Sequence, residues 1–475
     1  MASRIPWAVA AALAAVAAVA GCTLIIGDLH ECKSTGDCSD GRSCVQGYCV
    51  NPTPDGCRGL PDAGVQAVYG ATDAGDAIHF GAVLSLTDQY GVPSDVDVAE
   101  LDALVLAVKE VNQRGIAGRQ IALHVCAYAS QSDRVPALTT YLTDVVGTPA
   151  IIVANSSGVF AAQTITQSRG VVIMSANATS TEITGLNNPD GGVRLVWRTA
   201  PSDAIQGRVI NDLLLGAGVY DAGIAGKNPV GIAYVNDPYG QGLSGILLTG
   251  LTGTKNVAAF PFDRGGDITA VISGLLGMTP TPPKMTVVIG FPDDAAHIVT
   301  AAAGHPELQR SAGHQWFFTD AAKSPSIISN SPPGEVENAL GTAPAKGAGP
   351  AYTVFRNSFS SQFGINADNY AFVENDYDAL YVLALGSAFA AGSGTGEVTG
   401  SKIAEGLGHL ETGATMQLGT LSFANAASTL QAGGSVNVEG ASGHLDFDVA
   451  TGEAPAPIEL WTVDAGTIKG VTTIQ

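Results

Sequence analysis

From residue 78 onward, short apolar runs alternate with stretches in which apolar positions recur at helical spacing. Runs at 79–86, 121–127, 150–154, 170–175 and 194–198 read as strands, because a few apolar residues bounded by turn formers are the mark of a strand buried on both faces. The clearest amphipathic stretch between them is 99–114. There Leu101, Leu104, Val105, Val108 and Val111 share one face, and Gly115 stands as the terminator. A second series follows Trp197-Arg198-Thr199, with strands at 230–236, 257–262, 286–291 and 315–319 and helical patterns between them. Helical patterns return at 352–363 and 377–390, and an apolar strand occupies 458–463. Such alternation implies parallel sheets with crossover helices, so the chain is expected to be α/β, with two doubly wound units and a mixed tail. The Gly-, Ala- and Ser-rich tracts at 391–400 and 424–443 read as loops or inserts.

The pattern before residue 78 is of another kind. Arg4 precedes an Ala-rich apolar run that ends in Val19-Ala20-Gly21-Cys22. This looks like a bacterial lipoprotein signal over 1–21 with lipid transfer to Cys22, since the run is short for a membrane span and a small-residue cleavage site precedes the Cys. An uncleaved anchor helix and an ordinary signal peptide with a chance Cys are the alternatives. The body is expected to be exported and lipid-anchored to a bacterial membrane, facing the periplasm or the cell exterior.

Export makes the remaining cysteines readable as an oxidised set. Cys32, Cys38, Cys44, Cys49 and Cys57 crowd into a small module over 22–57 that is polar, Gly-rich and without a C-x-x-C pair. Disulfides suit it better than zinc, with two bridges expected among Cys32, Cys38, Cys44 and Cys49. Cys57 either pairs with Cys126 or stays free, and Cys126 reads equally as a small buried side chain on a strand. Residues 58–77 lack periodicity and read as a linker.

A length of 475 residues fits two lobes and an appended segment. The formal charge of -21 argues against nucleic acid and anionic membrane surfaces as partners, because both need Lys and Arg to replace counterions. Membrane contact is therefore expected through a lipid alone. No H-E-x-x-H or G-x-S-x-G motif occurs, and Gly226-Lys227-Asn228 lacks the rest of a P-loop. The eight histidines have no ligand spacing, so no metal, cofactor or catalytic residue is assigned. Gly240-Gln241-Gly242-Leu243-Ser244-Gly245 matches a dinucleotide fingerprint formally. Residues 236–239 separate it from its strand, and it reads as a glycine-eased helix start.

The polar residues that matter sit at the carboxyl ends of strands, where open α/β sheets bind small molecules. Asn155-Ser156-Ser157-Gly158 and Ser175-Ala176-Asn177-Ala178-Thr179 are two hydroxyl-bearing loops suited to a carboxylate or similar anion. Each alone also reads as an N-cap. The second lobe offers Asn236-Asp237-Pro238-Tyr239, Gly290-Phe291-Pro292 and Phe318-Thr319-Asp320. Asp320 is a candidate to hold an ammonium group, or a capping carboxylate.

Taken in order, Leu84-Ser85-Leu86-Thr87, Ala107-Val108-Lys109-Glu110-Val111-Asn112, Ser156-Ser157-Gly158, Arg198-Thr199-Ala200-Pro201-Ser202-Asp203, Asp237-Pro238-Tyr239-Gly240-Gln241-Gly242 and Tyr377-Asp378-Ala379 resemble the branched-chain amino-acid and amide binding proteins of ABC transporters. The resemblance runs from about residue 78 to the C-terminus. It implies a type I periplasmic binding fold, two lobes joined by three crossovers and closing like a hinged clamp. Lobe 1 would span 78–199 plus 344–448, and lobe 2 would span 200–343 plus 449–475. It further implies that Ser157, with Ser156 beside it, the backbone N–H of Asn177 and the hydroxyl of Thr179 hold an α-carboxylate. Asp320 would hold the ammonium group with Asp203 assisting, and Tyr239 and Phe291 would line the cleft from lobe 2. Asn155 and Asn177 depart from the family by replacing apolar or small residues, and Ser156 stands where some relatives carry the Cys that pairs with one at Cys126. The expectation is a receptor that hands an amino acid or related amide to an ABC permease, with small organic acids also open. The alternative is a lipid-anchored sensor or regulator that contacts another envelope protein.

Overall fold

The computed structural model describes residues 31–33, 37–38, 43–45, 48–50, 53–71, 76–186, 192–392 and 396–475. The candidate signal and Cys22 lie outside them. The chain divides into a small unit ending at Pro54 and a large unit running from Asp55 to Gln475. In the small unit, β1 (Ser43–Val45) and β2 (Tyr48–Val50) form an antiparallel hairpin, with Cys44 opposite Cys49 in register. Cys32 and Cys38 are both in disulfides.

The large unit opens with a difference from the sequence reading. Cys57 belongs to it rather than to the small module, and is bonded to Cys126. The expected linker at 58–77 contains a strand, β3 (Val68–Gly70), which pairs antiparallel with β5 (Ile121–Ala127), and Val65 is buried beside it. A three-residue edge strand needs no apolar periodicity, because its partner supplies the hydrogen bonds.

The first sheet continues with β4 (Ile78–Leu84), β6 (Ala150–Val153), β7 (Val172–Ser175) and β8 (Val196–Arg198), in the order β3-β5-β4-β6-β7-β8 and parallel apart from β3. Helices α1 (Asp95–Val111), α2 (Val135–Thr140) and α3 (Ser156–Arg169) connect these strands. Ser94 caps α1 by accepting from the Asp97 N–H. α1 packs on one face of the sheet, whereas α2 and α3 pack on the other.

The chain then crosses to a second sheet. Helix α4 (Asp203–Leu215) leads to β9 (Val230–Val235), α5 (Pro238–Leu251), β10 (Val257–Phe262), α6 (Thr269–Leu276), β11 (Met285–Ile289), α7 (Pro292–Ala302), β12 (Gln315–Phe318), α8 (Pro325–Ser329) and β13 (Leu340–Pro344). The Gly-rich start of α5 is a helix N-terminus packed against its own strand: a Cβ on Gly240 would sit 2.0 Å from the Val235 carbonyl oxygen. Helices α9 (Pro350–Phe363), α10 (Val373–Ala391), α11 (Gly400–Leu407) and α12 (Thr420–Gln431), with the short parallel pair β14 (Ala414–Gln417) and β15 (Val436–Glu439), return to the core of the first lobe. The tract at 424–443, expected to be a loop or insert, thus contains most of α12 and all of β15, since Ala propagates a helix well once Phe423 and Leu430 anchor its buried face. β16 (Ile458–Asp464) and β17 (Thr467–Ile474) then complete the second sheet, ordered β10-β9-β11-β12-β13-β16-β17.

Three chain crossings join the lobes, and buried polar contacts hold them. The Arg198 guanidinium donates to Glu453 at 2.5 Å and to the carbonyls of Ala178 and Ser180. Thr199 and Asn375 exchange hydrogen bonds, each side chain donating to the other's backbone carbonyl at 2.9 Å. The first crossing is thereby tied to the third, to the start of α10 and to the loop after β7.

Candidate functional site

In the first lobe the strand order reverses between β4 and β6, and in the second between β9 and β11. At such a point the connecting loops leave on opposite faces of the sheet and open a crevice at the strands' carboxyl ends. Residues from both crevices, and from the loops after β5 and β10, line two cavities between the lobes. The larger, about 610 Å³, is walled by Tyr90, Asp95 and Ser130 of lobe 1 and Arg264, Phe291 and Asp294 of lobe 2. The smaller, about 110 Å³, shares Ser130, Arg264 and Phe291 with it and adds Tyr128, Asn155, Ser157 and Asp237.

Direct hydrogen bonds span the cleft. Ser157 Oγ donates to Asp237 Oδ2 at 3.0 Å, and Gln89 Nε2 donates to the Gly265 carbonyl at 3.2 Å. Asp95, at the start of α1, accepts from Ser324 Oγ at 2.6 Å and Ser326 Oγ at 3.1 Å. Asn155 adopts φ 62° and ψ 151°, a region that costs a non-glycine residue about 1–3 kcal/mol. Its N–H donates to Asn177 Oδ1 and its Nδ2 to the Tyr128 hydroxyl, both at 2.8 Å, which holds it there.

Of the residues expected in the site, Ser157 and Phe291 line these cavities. Ser156, Asn177, Thr179, Asp203, Tyr239 and Asp320 line neither. Ser156 Oγ accepts from the Ser180 N–H at 3.1 Å, and Asn177 Nδ2 donates to Glu100 Oε2 at 2.8 Å. Burial, reinforced by Asp376 and Asp97, raises the Glu100 carboxyl well above its ordinary range. The Tyr239 hydroxyl donates to Asp320 Oδ1 at 2.5 Å and shares a 2.7 Å contact with Thr319 Oγ1. Burial pushes Asp320 up to about 6, against the pull of the Tyr239 hydroxyl. Asp203 is fully buried at the start of α4, and burial together with the nearby Asp320 raises its carboxyl strongly. Neither Asp203 oxygen is hydrogen-bonded, and Thr179 Oγ1 lies beside it without reaching bonding geometry. Buried acceptors of this kind normally find a donor.

Arg264 was not foreseen. It follows β10, at the carboxyl end of the strand beside the lobe 2 reversal, and the strand-end rule that singled out Asp237 and Phe291 reaches it too. Its guanidinium carbon lies 3.5 Å from the Phe291 ring centroid. Asp97, Asp237 and Asp294 all feel its charge, which pulls each carboxyl down while burial pushes it up.

The model of the receptor family ligand binding region matches residues 99–465. The chain is 24% identical over 400 residues to the chemotactic signal transduction system substrate-binding protein BasB of Halobacterium salinarum, covering 83% of this chain and 89% of that protein. Similar solved structures include the leucine-binding protein LivK of Thermotoga maritima, with TM-score 0.67, 19% identity and coverage of 84% and 99% of the two chains. Another is the branched-chain amino-acid transporter substrate-binding protein LivJ of Streptococcus pneumoniae in complex with isoleucine, with TM-score 0.65, 17% identity and coverage of 84% and 99%. A solute-binding protein of an ABC transporter from R. palustris, in complex with benzoate, matches with TM-score 0.62, 15% identity and coverage of 84% and 96%. These likenesses show a two-lobed type I periplasmic binding fold.

Proposed function

The chain belongs to the receptor family ligand binding region, and from that premise we propose that it is an extracytoplasmic solute-binding protein that captures a small polar metabolite between its lobes for ABC-type uptake. The observation that carries this reading is the interlobe cavity of about 610 Å³, walled by polar and aromatic side chains of both lobes at the two strand-order reversals. Closure on a solute would stabilise both lobes together, because each contributes to one wall.

An amino acid is the solute we favour. The leucine-binding and isoleucine-bound proteins among the similar structures support it. Ser157 and Phe291 are assigned as direct contacts, with Asp320, Asp203, Thr179, Asn177, Ser156 and Tyr239 forming the polar ground behind them. The proposed setting is a lipid anchor at Cys22 facing the periplasm or cell exterior, with an ABC permease as partner. Loss of palmitate labelling in Cys22→Ala tests the anchor.

The test of solute capture is thermal denaturation of the full chain against amino acids, their amides and aromatic acids. A ligand at a hundredfold excess over its Kd stabilises the fold by roughly 2.7 kcal/mol. A shift that weakens in Ser157→Ala supports the reading, and an unmoved melting curve across the panel counts against it. The chemotactic function in the name of the Halobacterium relative favours a second reading, in which the loaded protein signals to a membrane transducer. Crosslinking of the loaded chain in its own membranes separates the two by the partner recovered.

A further inference from the structure

The cleft contains one cation whose chemistry the structure leaves unused. Arg264 is half-buried, lines both interlobe cavities, and makes no hydrogen bond or ion pair with any described residue. A guanidinium carries five N–H donors in a fixed fork and stays charged at any pH the protein meets. The three carboxyls within its electrostatic reach do not pair with it. Asp237 is engaged by the Ser157 hydroxyl and the Gly240 N–H, and Asp294 accepts from the Gly265 N–H at 2.8 Å. Asp97 is buried, and burial holds its carboxyl above the ordinary range against the pull of Arg264.

The position of the fork is set. The Phe291 ring lies 3.5 Å from the guanidinium carbon, a cation–π contact that uses none of the five N–H donors as a hydrogen bond. Ser130, Ser132 and Ser157 of the opposite lobe line the smaller cavity with Arg264, Ser157 donating to Asp237 and Ser130 to the Thr87 carbonyl. A planar cation without a hydrogen-bond partner in a closing cleft complements a planar anion, which it can take up with two parallel hydrogen bonds.

We propose that Arg264 determines the specificity of this cleft by binding the ligand's carboxylate, so that the protein selects carboxylate-bearing solutes over the corresponding neutral amides. This rests on solute capture between the lobes and narrows it, since amino acids and organic acids carry the selected group and amides and urea-like solutes do not. Among the residues lining the two cavities Arg264 is the permanent cation, set among the carboxyls of Asp88, Asp95, Asp237, Asp263, Asp293 and Asp294, so it is the one group there on which a ligand carboxylate can be held by charge. An amide offers Arg264 a neutral carbonyl in place of a charge-assisted pair.

The experiment is isothermal titration of the full chain with two matched pairs, L-leucine against L-leucinamide and benzoate against benzamide, in the parent, Arg264→Met and Arg264→Lys. The parent is expected to bind at least one acid roughly tenfold or more tighter than its amide. Arg264→Met should erase that preference with an unchanged unliganded melting temperature, and Arg264→Lys should recover part of it through charge without the fork. Arg264→Gln repeats the comparison should the Met form fail to fold. A preference that survives in Arg264→Met, or acid and amide bound alike by the parent, overturns the role of Arg264 while leaving solute capture standing. A parent that binds neither member of either pair overturns both.

Discussion

Replacing Cys57 and Cys126 together gives a sharp test of how the first lobe is held. The bond joins the turn Asp55–Cys57 to β5 and closes a loop over a sequence separation of 69 residues that contains β3, β4 and α1. Closing a loop of that length removes denatured-state entropy worth roughly 4.4 kcal/mol at 25 °C. A lobe of roughly 250 residues, 55–199 plus 344–448, unfolds with an entropy of about 0.5 kcal/mol/K, so the loss corresponds to a fall of about 8 °C in Tm if that lobe melts as a unit. Both cysteines are nearly inaccessible, at 5% and 0% exposed, and Ala at both positions avoids burying a new polar group. The assay is calorimetry of the double Ala variant beside the parent, with hydrogen exchange followed by mass spectrometry. Exchange should rise in peptides covering β5 and stay unchanged in peptides covering β11, because the closed loop lies wholly in lobe 1. A double variant that melts within about 1 °C of the parent, or loses protection equally in both sheets, refutes the reasoning.

Two further outcomes are expected. Asp95→Ala removes two hydrogen bonds from lobe 2 hydroxyls to a lobe 1 carboxylate, each worth about 1.5–3 kcal/mol, and should shift the lobes toward opening. Small-angle scattering would show a larger radius of gyration and titration a weaker apparent affinity, while an unchanged radius would deny Asp95 a clamping role. His79 and His124 share a hydrogen bond of 2.9 Å in which one ring must keep a bare nitrogen, and burial, with the His79 charge adding to it, holds His124 down to about 4. A folded-state pKa below the unfolded value of about 6.5 gives stability that is full above that pH and is lost as pH falls toward 4. The urea midpoint should decline across that window, and His79→Gln with His124→Gln should flatten the decline. Equal slopes in parent and variant would exclude the pair as the cause.

The α/β alternation was legible because strands such as β4, β6 and β7 are buried on both faces and read as unbroken apolar runs. β3 was not, since the half-buried Val68 and Tyr69 and the exposed Gly70 gain their structure from β5 and carry no pattern of their own. α12 was hidden by composition, its Ala and Ser residues looking like a loop until the core of lobe 1 is seen to receive Phe423, Ala426, Ala427 and Leu430. Of the residues that line the two cavities, Ser157 and Phe291 were legible from strand ends. Asp320 and Asp203 were legible as polar residues but not as members of one buried group, because only the folded chain brings residues so far apart in sequence together. Arg264 was obscured by its setting in Asp263-Arg264-Gly265-Gly266, which looks like a solvated turn until Phe291 is found beneath it.

The interleaved path of the chain governs how it matures during synthesis. Lobe 2 lacks the antiparallel strand that joins β13 to the edge strand β17, with Leu460 and Trp461 in the core, until β16 has been made. Lobe 1 lacks the helix that packs on α1 until α10 is complete. A ribosome therefore releases most of the polypeptide before either hydrophobic centre can close, and the nascent chain stays open to chaperones and to threading through a channel for nearly the whole of its elongation. Deleting the last eighteen residues would remove β16 from Ile458 onward together with β17, and would leave the second centre unclosed however long the chain was given.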